Sequence, residues 1–148
     1  MTVAPRRRVV AAEAYGLAEG TSPVLTLVGE VIAVKPTDAG AGVSYGYSYH
    51  TSDATTLALV ALGYADGVPR LVSNRAQVLV GDSLHPLVGR VAMDQFVVDC
   101  GSFAPTVGDS AVLFGPGAST AQEWAEHAER SALELTAGLG SRIHRIYS

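Results

Sequence analysis

Cysteine is nearly absent from this chain. Cys100 stands alone, which excludes an intrachain disulfide and fits a protein kept in a reducing cytoplasm. Charge is sparse as well, with Asp, Glu, Lys and Arg making up 16% of the residues and a net charge of −4. That balance argues against nucleic acid as the main partner, because phosphate binding needs a concentrated basic surface. Arg6, Arg7 and Arg8 form a basic triplet that reads as a solvated tail. Long apolar runs are missing too. Stretches such as Val24 to Val34 and Thr56 to Leu62 are broken by Gly, Pro or charge and fall short of the ~20 residues a membrane helix needs. The arginine triplet is followed by Val-Val-Ala-Ala and then Glu13, without the apolar core of a signal peptide. His50, His85, His127 and His144 are scattered without ligand-like spacing, so no metal site is expected.

What is present is apolar. At 148 residues and 48% apolar content the chain is expected to form one domain. Its apolar share points to more hydrophobic surface than one small domain covers, and so to an interface, homodimerisation included. Segments rich in Val, Leu, Ile and Thr recur at Val24 to Val34, Thr55 to Leu62, Gln77 to Val80, Leu87 to Val91, Phe96 to Cys100 and Ala111 to Phe114, and read as strands. Turn residues lie between them, at Asp38 to Gly42, Asp66-Gly67, Gly81-Asp82 and Gly108-Asp109. Many short strands favour a small barrel or sandwich. Val78 to Val91 reads as one hairpin turning at Gly81-Asp82. One helix is expected from Thr120, where Thr120 and Glu123 have capping-box spacing and Trp124, Ala125, Ala128, Ala132 and Leu135 recur at helical intervals as core positions, with Gly138 or Gly140 as its stop.

Three motifs stand in order: Val43-Ser44-Tyr45-Gly46, then Gly63-Tyr64-Ala65-Asp66-Gly67 with Pro69-Arg70, then Gly89-Arg90-Val91-Ala92-Met93-Asp94-Gln95. Taken singly, each has an ordinary reading as a strand-end tyrosine, a turn or a surface pair. Together they resemble the C-terminal domain of alanine racemase. In that family a pyridoxal 5′-phosphate (PLP) cofactor hangs from a lysine in an N-terminal β/α barrel, and the C-terminal domain of the neighbouring subunit supplies a tyrosine base. The resemblance runs from Tyr15-Gly16-Leu17 to Arg142-Ile143-His144-Arg145-Ile146-Tyr147, with His144 where the family usually has proline. It implies a mainly β fold, a small β-barrel with a short C-terminal helical segment over residues 15–148, preceded by a tail or junction remnant over 1–14.

The resemblance also assigns roles. Racemisation removes a weakly acidic α-proton and returns one to the opposite face, with PLP as electron sink and one acid-base group on each face. Tyr45 matches the tyrosine base. A tyrosine has an ordinary pKa near 10, so this role needs cationic neighbours, which the family's barrel provides. Tyr64 and the Met93 amide match groups that position the substrate carboxylate. Arg70 and Arg90 match entryway arginines, and Asp94 an acidic residue near the pocket.

The match fails on the cofactor side. The single lysine, Lys35, sits at a strand end before a proline and matches nothing in the family's cofactor site. Val9 falls where the family has an arginine contacting the pyridine nitrogen, and Ala11-Ala12 where it has a phosphate-binding turn. Leu133 falls on a tyrosine that reaches the cofactor phosphate, and a leucine cannot donate that bond. The chain alone is therefore expected to hold no PLP and not to racemise by itself. Two functions remain open: completing in trans the active site of a PLP-barrel protein for L-/D-alanine interconversion, or acting as a non-catalytic module that binds a racemase or PLP-barrel protein.

Overall fold

The computed structural model describes residues 12 and 15–147. The expected tail, with Arg6 to Arg8, Val9 and Ala11, lies outside the described residues apart from Ala12. Eight strands follow: β1 Leu27–Thr37, β2 Gly42–Val43, β3 Tyr49–His50, β4 Thr55–Val60, β5 Gln77–Val80, β6 Ser83–Val88, β7 Phe96–Asp99 and β8 Ser110–Phe114. Six of them close into a barrel in the order β1-β4-β7-β6-β5-β8, while β2 and β3 form a separate two-stranded ribbon. The expected mainly β barrel is borne out.

Closure depends on β1. Its first residues pair antiparallel with β8 and its remainder with β4, and the register shifts between Val31 and Ala33. Such a bulge bends a strand, letting one segment serve two neighbours. Alternation then sorts its side chains: Leu27 and Val31 face the core while Val28, Glu30 and Ile32 are exposed. Gly29 shares the inward side because a Cβ there would meet the Val60 side chain.

The hairpin at Gly81-Asp82 forms as expected, with Val80 opposite Ser83. Its second strand differs, running Ser83–Val88 where Leu87 to Val91 was expected. Gly89, at φ 73°, takes the chain out of extended geometry. The next residues turn toward the Val43 segment instead of extending the sheet.

The C-terminal region also departs from expectation. In place of one helix there are two, α1 Ala121–His127 and α2 Ala132–Ala137. Glu129 adopts φ 55° and breaks the first, and Ser131 with Glu134 forms a second capping box that starts the next. Thr120 and Glu123 cap α1 as expected. The pair seals one end of the barrel core. Trp124, Ala125, Ala128, Ala132 and Leu135 are buried, the Trp124 and Phe114 rings meet edge-on at 6.2 Å, and Trp124 Nε1 donates to the Gln77 carbonyl at 3.2 Å. No helix among the described residues is long and apolar enough to cross a membrane.

Candidate functional site

Tyr45 sits on a tight turn between β2 and β3. Ser44, Gly46 and Tyr47 have φ of 61°, 74° and 46°, so two non-glycine residues hold the left-handed region within four positions. Each costs of order 1–3 kcal/mol and persists only where the surroundings enforce it. The enforcement is visible. Ser44 Oγ donates to the Arg90 carbonyl at 2.7 Å, and Asn74 bridges the two segments, accepting from the Gly89 amide at 2.6 Å and donating to Ser48 Oγ at 3.2 Å. Ser73 Oγ takes the Val91 amide at 3.0 Å. The segments approach so closely that a Cβ on Gly89 would lie 2.7 Å from Ser44 Cβ.

This turn presents Tyr45 to solvent, with 71% of the residue exposed. It forms one wall of an open groove of about 410 Å³ lined also by Tyr47, Arg90, Ala92, Gln95 and Phe96. The Arg90 guanidinium lies along the turn, 3.5 Å from where a Cβ on Gly46 would stand. The groove therefore joins an exposed phenol to a guanidinium.

Tyr64 belongs to a neighbouring 3-10 turn, Tyr64–Asp66. Its backbone carries the third motif: the Tyr64 amide donates to the Ala92 carbonyl at 3.0 Å and the Ala65 amide to the Met93 carbonyl at 2.9 Å. Gly63 is required there, since a Cβ would collide with the Met93 carbonyl. Met93 thus has its carbonyl fixed, while among the described residues its N–H finds no acceptor. An N–H in that state is a ready donor for a ligand oxygen. Arg70 lies over the Tyr64 ring, 5.5 Å from its centroid, and both line a second groove of about 390 Å³ with Arg130.

Asp66 and Asp94 share one arginine. Asp66 is buried, accepts the Gly63 amide at 2.9 Å and receives Arg142 Nε at 3.2 Å, while another guanidinium nitrogen of Arg142 reaches Asp94 at 2.7 Å. Asp94 is thereby held to the C-terminal segment rather than to Arg70 or Arg90.

A further polar cluster lies beneath the Tyr45 ribbon. Tyr49 Oη donates to Asp99 at 2.7 Å, Thr55 also donates to Asp99, and the Gly101 amide does so at 3.0 Å. Burial, with the hydrogen bond and charge of Asp99, pushes the Tyr49 phenol up to about 12. Burial raises Asp99 in turn, but the bonds from Thr55, Tyr49 and Gly101, with the nearby His85, outweigh it and hold the carboxyl below its ordinary value.

The structure therefore pairs Tyr45 with Arg90 in one groove and Tyr64 with Arg70 in the next, and sets the Met93 loop against the Tyr64 turn. It ties Asp94 to Arg142. Sequence reasoning assigned no role to Ser73, Asn74, Tyr49 or Asp99, none of which carries a local signal. Ser44, Asp66 and Arg142 stood inside or beside the motifs, and only their partners were illegible.

These residues do not fit a resident PLP. Lys35 is exposed on β1 and lines neither groove, so no lysine stands by Tyr45 to hold the cofactor. What the site offers is an exposed phenol, a free amide and positive charge.

Comparison with known proteins places this geometry. The family model described as alanine racemase, C-terminal domain, matches residues 24–147. The chain is 49% identical over 131 residues to an alanine racemase of Streptomyces coelicolor, covering 86% of this chain and 34% of that protein. It is 46% identical over 132 residues to one from Thermobifida fusca, with 87% and 35% covered. Among solved structures, the Streptomyces coelicolor enzyme superposes with a TM-score of 0.82 at 49% identity, over 84% of this chain and 33% of that one. Alanine racemase from Bartonella henselae with covalently bound pyridoxal phosphate gives a TM-score of 0.85 at 31% identity, over 92% and 40%. The chain spans about a third of the length of the curated relatives it matches.

Proposed function

This chain belongs to the alanine racemase C-terminal domain family, and from that premise we propose that it presents Tyr45 across a subunit interface to a PLP-bearing barrel, completing a site that interconverts L- and D-alanine. The observation that carries this reading is the Tyr45 side chain itself, exposed on an enforced turn at the rim of a groove. PLP bound on the barrel would supply the electron sink. This chain's residues do the rest of the work on their side of the substrate. The Tyr45 phenolic oxygen takes the α-proton from one face or returns it there. The Met93 N–H donates to the substrate carboxylate, with Tyr64 beside it. Arg70 and Arg90 draw the carboxylate inward, while Asp94 is paired with Arg142.

A mixing experiment tests this. The chain and a PLP-barrel protein from its own source should each be silent in alanine racemisation and active together. Tyr45→Phe should lower the activity of the mixture by about 10²–10⁴-fold, the usual range for a positioned general base. Full activity with that variant would remove the role.

A second reading is favoured by the exposure of Tyr45, Tyr47 and Met93. Exposed aromatics of this kind serve docking as well as chemistry. In that reading the chain binds a racemase or PLP-barrel protein without catalysing, and the complex survives Tyr45→Phe unchanged.

A further inference from the structure

Tyr49 is set apart from Tyr45 and Tyr47, its neighbours on the same ribbon. Those two hydroxyls make no hydrogen bond among the described residues, whereas Tyr49 donates to Asp99 on β7 at 2.7 Å. Its backbone position matters as much. Tyr49 is the register partner of Val43, the residue that leads into Ser44 and Tyr45, so this pair closes the Tyr45 turn at its base. The ribbon pairs Gly42–Val43 with Tyr49–His50 and runs on through the Gly40 and Thr51 amides, which donate to the Thr51 and Ala41 carbonyls at 2.7 and 3.0 Å. Two strands alone are marginal, so side-chain bonds place it: Ser44 and Asn74 at the turn and Tyr49 at the base.

We propose that Tyr49 and Asp99 are positioning residues for Tyr45, their hydrogen bond tying the ribbon, and with it the turn, to the rigid barrel wall. Asp99 is a fixed point, held also by Thr55 and by the Gly101 amide at 3.0 Å. β7 begins at Phe96, which lines the Tyr45 groove with Val97, so the strand that anchors the turn also lines that groove. One barrel strand thereby sets the distance between phenol and groove. With its proton held to about pH 12, Tyr49 stays a donor and does not compete with Tyr45 as a base.

The catalytic part of this inference rests on the reading of Tyr45 as the base, and two arms of the test keep the questions separate. In the reconstituted mixture with the PLP barrel, Tyr49→Phe and Asp99→Ala should each lower kcat about tenfold to hundredfold, as small misplacements of a catalytic group do, with KM changed less than about twofold. The double variant should be no worse than the poorer single, because both remove the same bond. Loss confined to KM, or additive losses, would overturn the proposal.

The second arm needs no activity. With 3-fluorotyrosine at position 45, the ¹⁹F resonance should be sharp and dispersed in the otherwise unaltered chain, and should broaden or move toward the free-tyrosine position in both variants. An unchanged resonance in both would overturn the anchor. If the unsubstituted mixture is itself silent, the proposed function fails and the ¹⁹F arm still decides whether Tyr49 and Asp99 order Tyr45.

Discussion

Arg142 donates through Nε to the buried Asp66 carboxylate at 3.2 Å. The contact links the C-terminal segment to the turn that carries Tyr64, and the Gly140 amide reinforces it by donating to the Asp66 carbonyl at 2.8 Å. Arg142→Ala should leave a buried carboxylate without its cation and release Asp94 as well. We expect a lower melting temperature and faster proteolysis after residue 137, measured by thermal denaturation and limited digestion, with the barrel's β-sheet circular dichroism retained.

Gly89 sets how closely two motif loops approach. Gly89→Ala places a Cβ 2.7 Å from Ser44 Cβ and 2.9 Å from the Val43 carbonyl, at a φ of 73°. The expected cost is on the order of 2 kcal/mol from backbone strain alone. Urea denaturation should show it as a lower midpoint, and in the reconstituted mixture the substitution should reduce activity without touching Tyr45.

The Tyr49 to Asp99 bond makes stability depend on alkaline pH. Folding raises the Tyr49 value above its ordinary 10.0, so the contribution is full below pH 10 and is lost as pH climbs through about 12. The gap in urea midpoint between the unsubstituted chain and Tyr49→Phe should therefore be largest near about pH 9 and shrink toward about pH 12. A gap independent of pH over that range would contradict this.

Cys100 should be inert in the native state. It is 2% exposed, and burial together with the Asp99 charge pushes its thiol up to about 11. A disulfide-exchange reagent at neutral pH should label it only on unfolding, so the labelling rate should follow denaturant concentration. Rapid labelling of the folded chain would be the opposing result.

The barrel was legible in the sequence because each strand's apolar residues and each glycine-bearing turn are local signals. Two elements were misread where a local signal had a competitor. Val91 continues the apolar run of β6, yet Gly89 needs its positive φ to let the chain meet Ser44, and that demand is set by a residue 45 positions away. Ala128 and Ala132 continue a helical period across Glu129, while the Ser131 capping box restarts the helix within it. For the site, the motifs named Tyr45, Tyr64, Arg70, Arg90, Met93 and Asp94. They did not reveal that Asp94 faces Arg142, or that Asn74 and Asp99 hold the Tyr45 ribbon, since those bonds join segments with no pattern in common.

Hydrogen exchange at the substrate α-carbon tests the central claim most directly. In D₂O, the chain mixed with a PLP-barrel protein from its own source should replace the α-hydrogen of both L- and D-alanine, followed by proton NMR. With Tyr45→Phe, exchange should stop for the enantiomer whose α-hydrogen faces this chain and persist for the other, because only one of the two acid-base groups is gone. Exchange of both enantiomers at the unsubstituted rate would contradict the account.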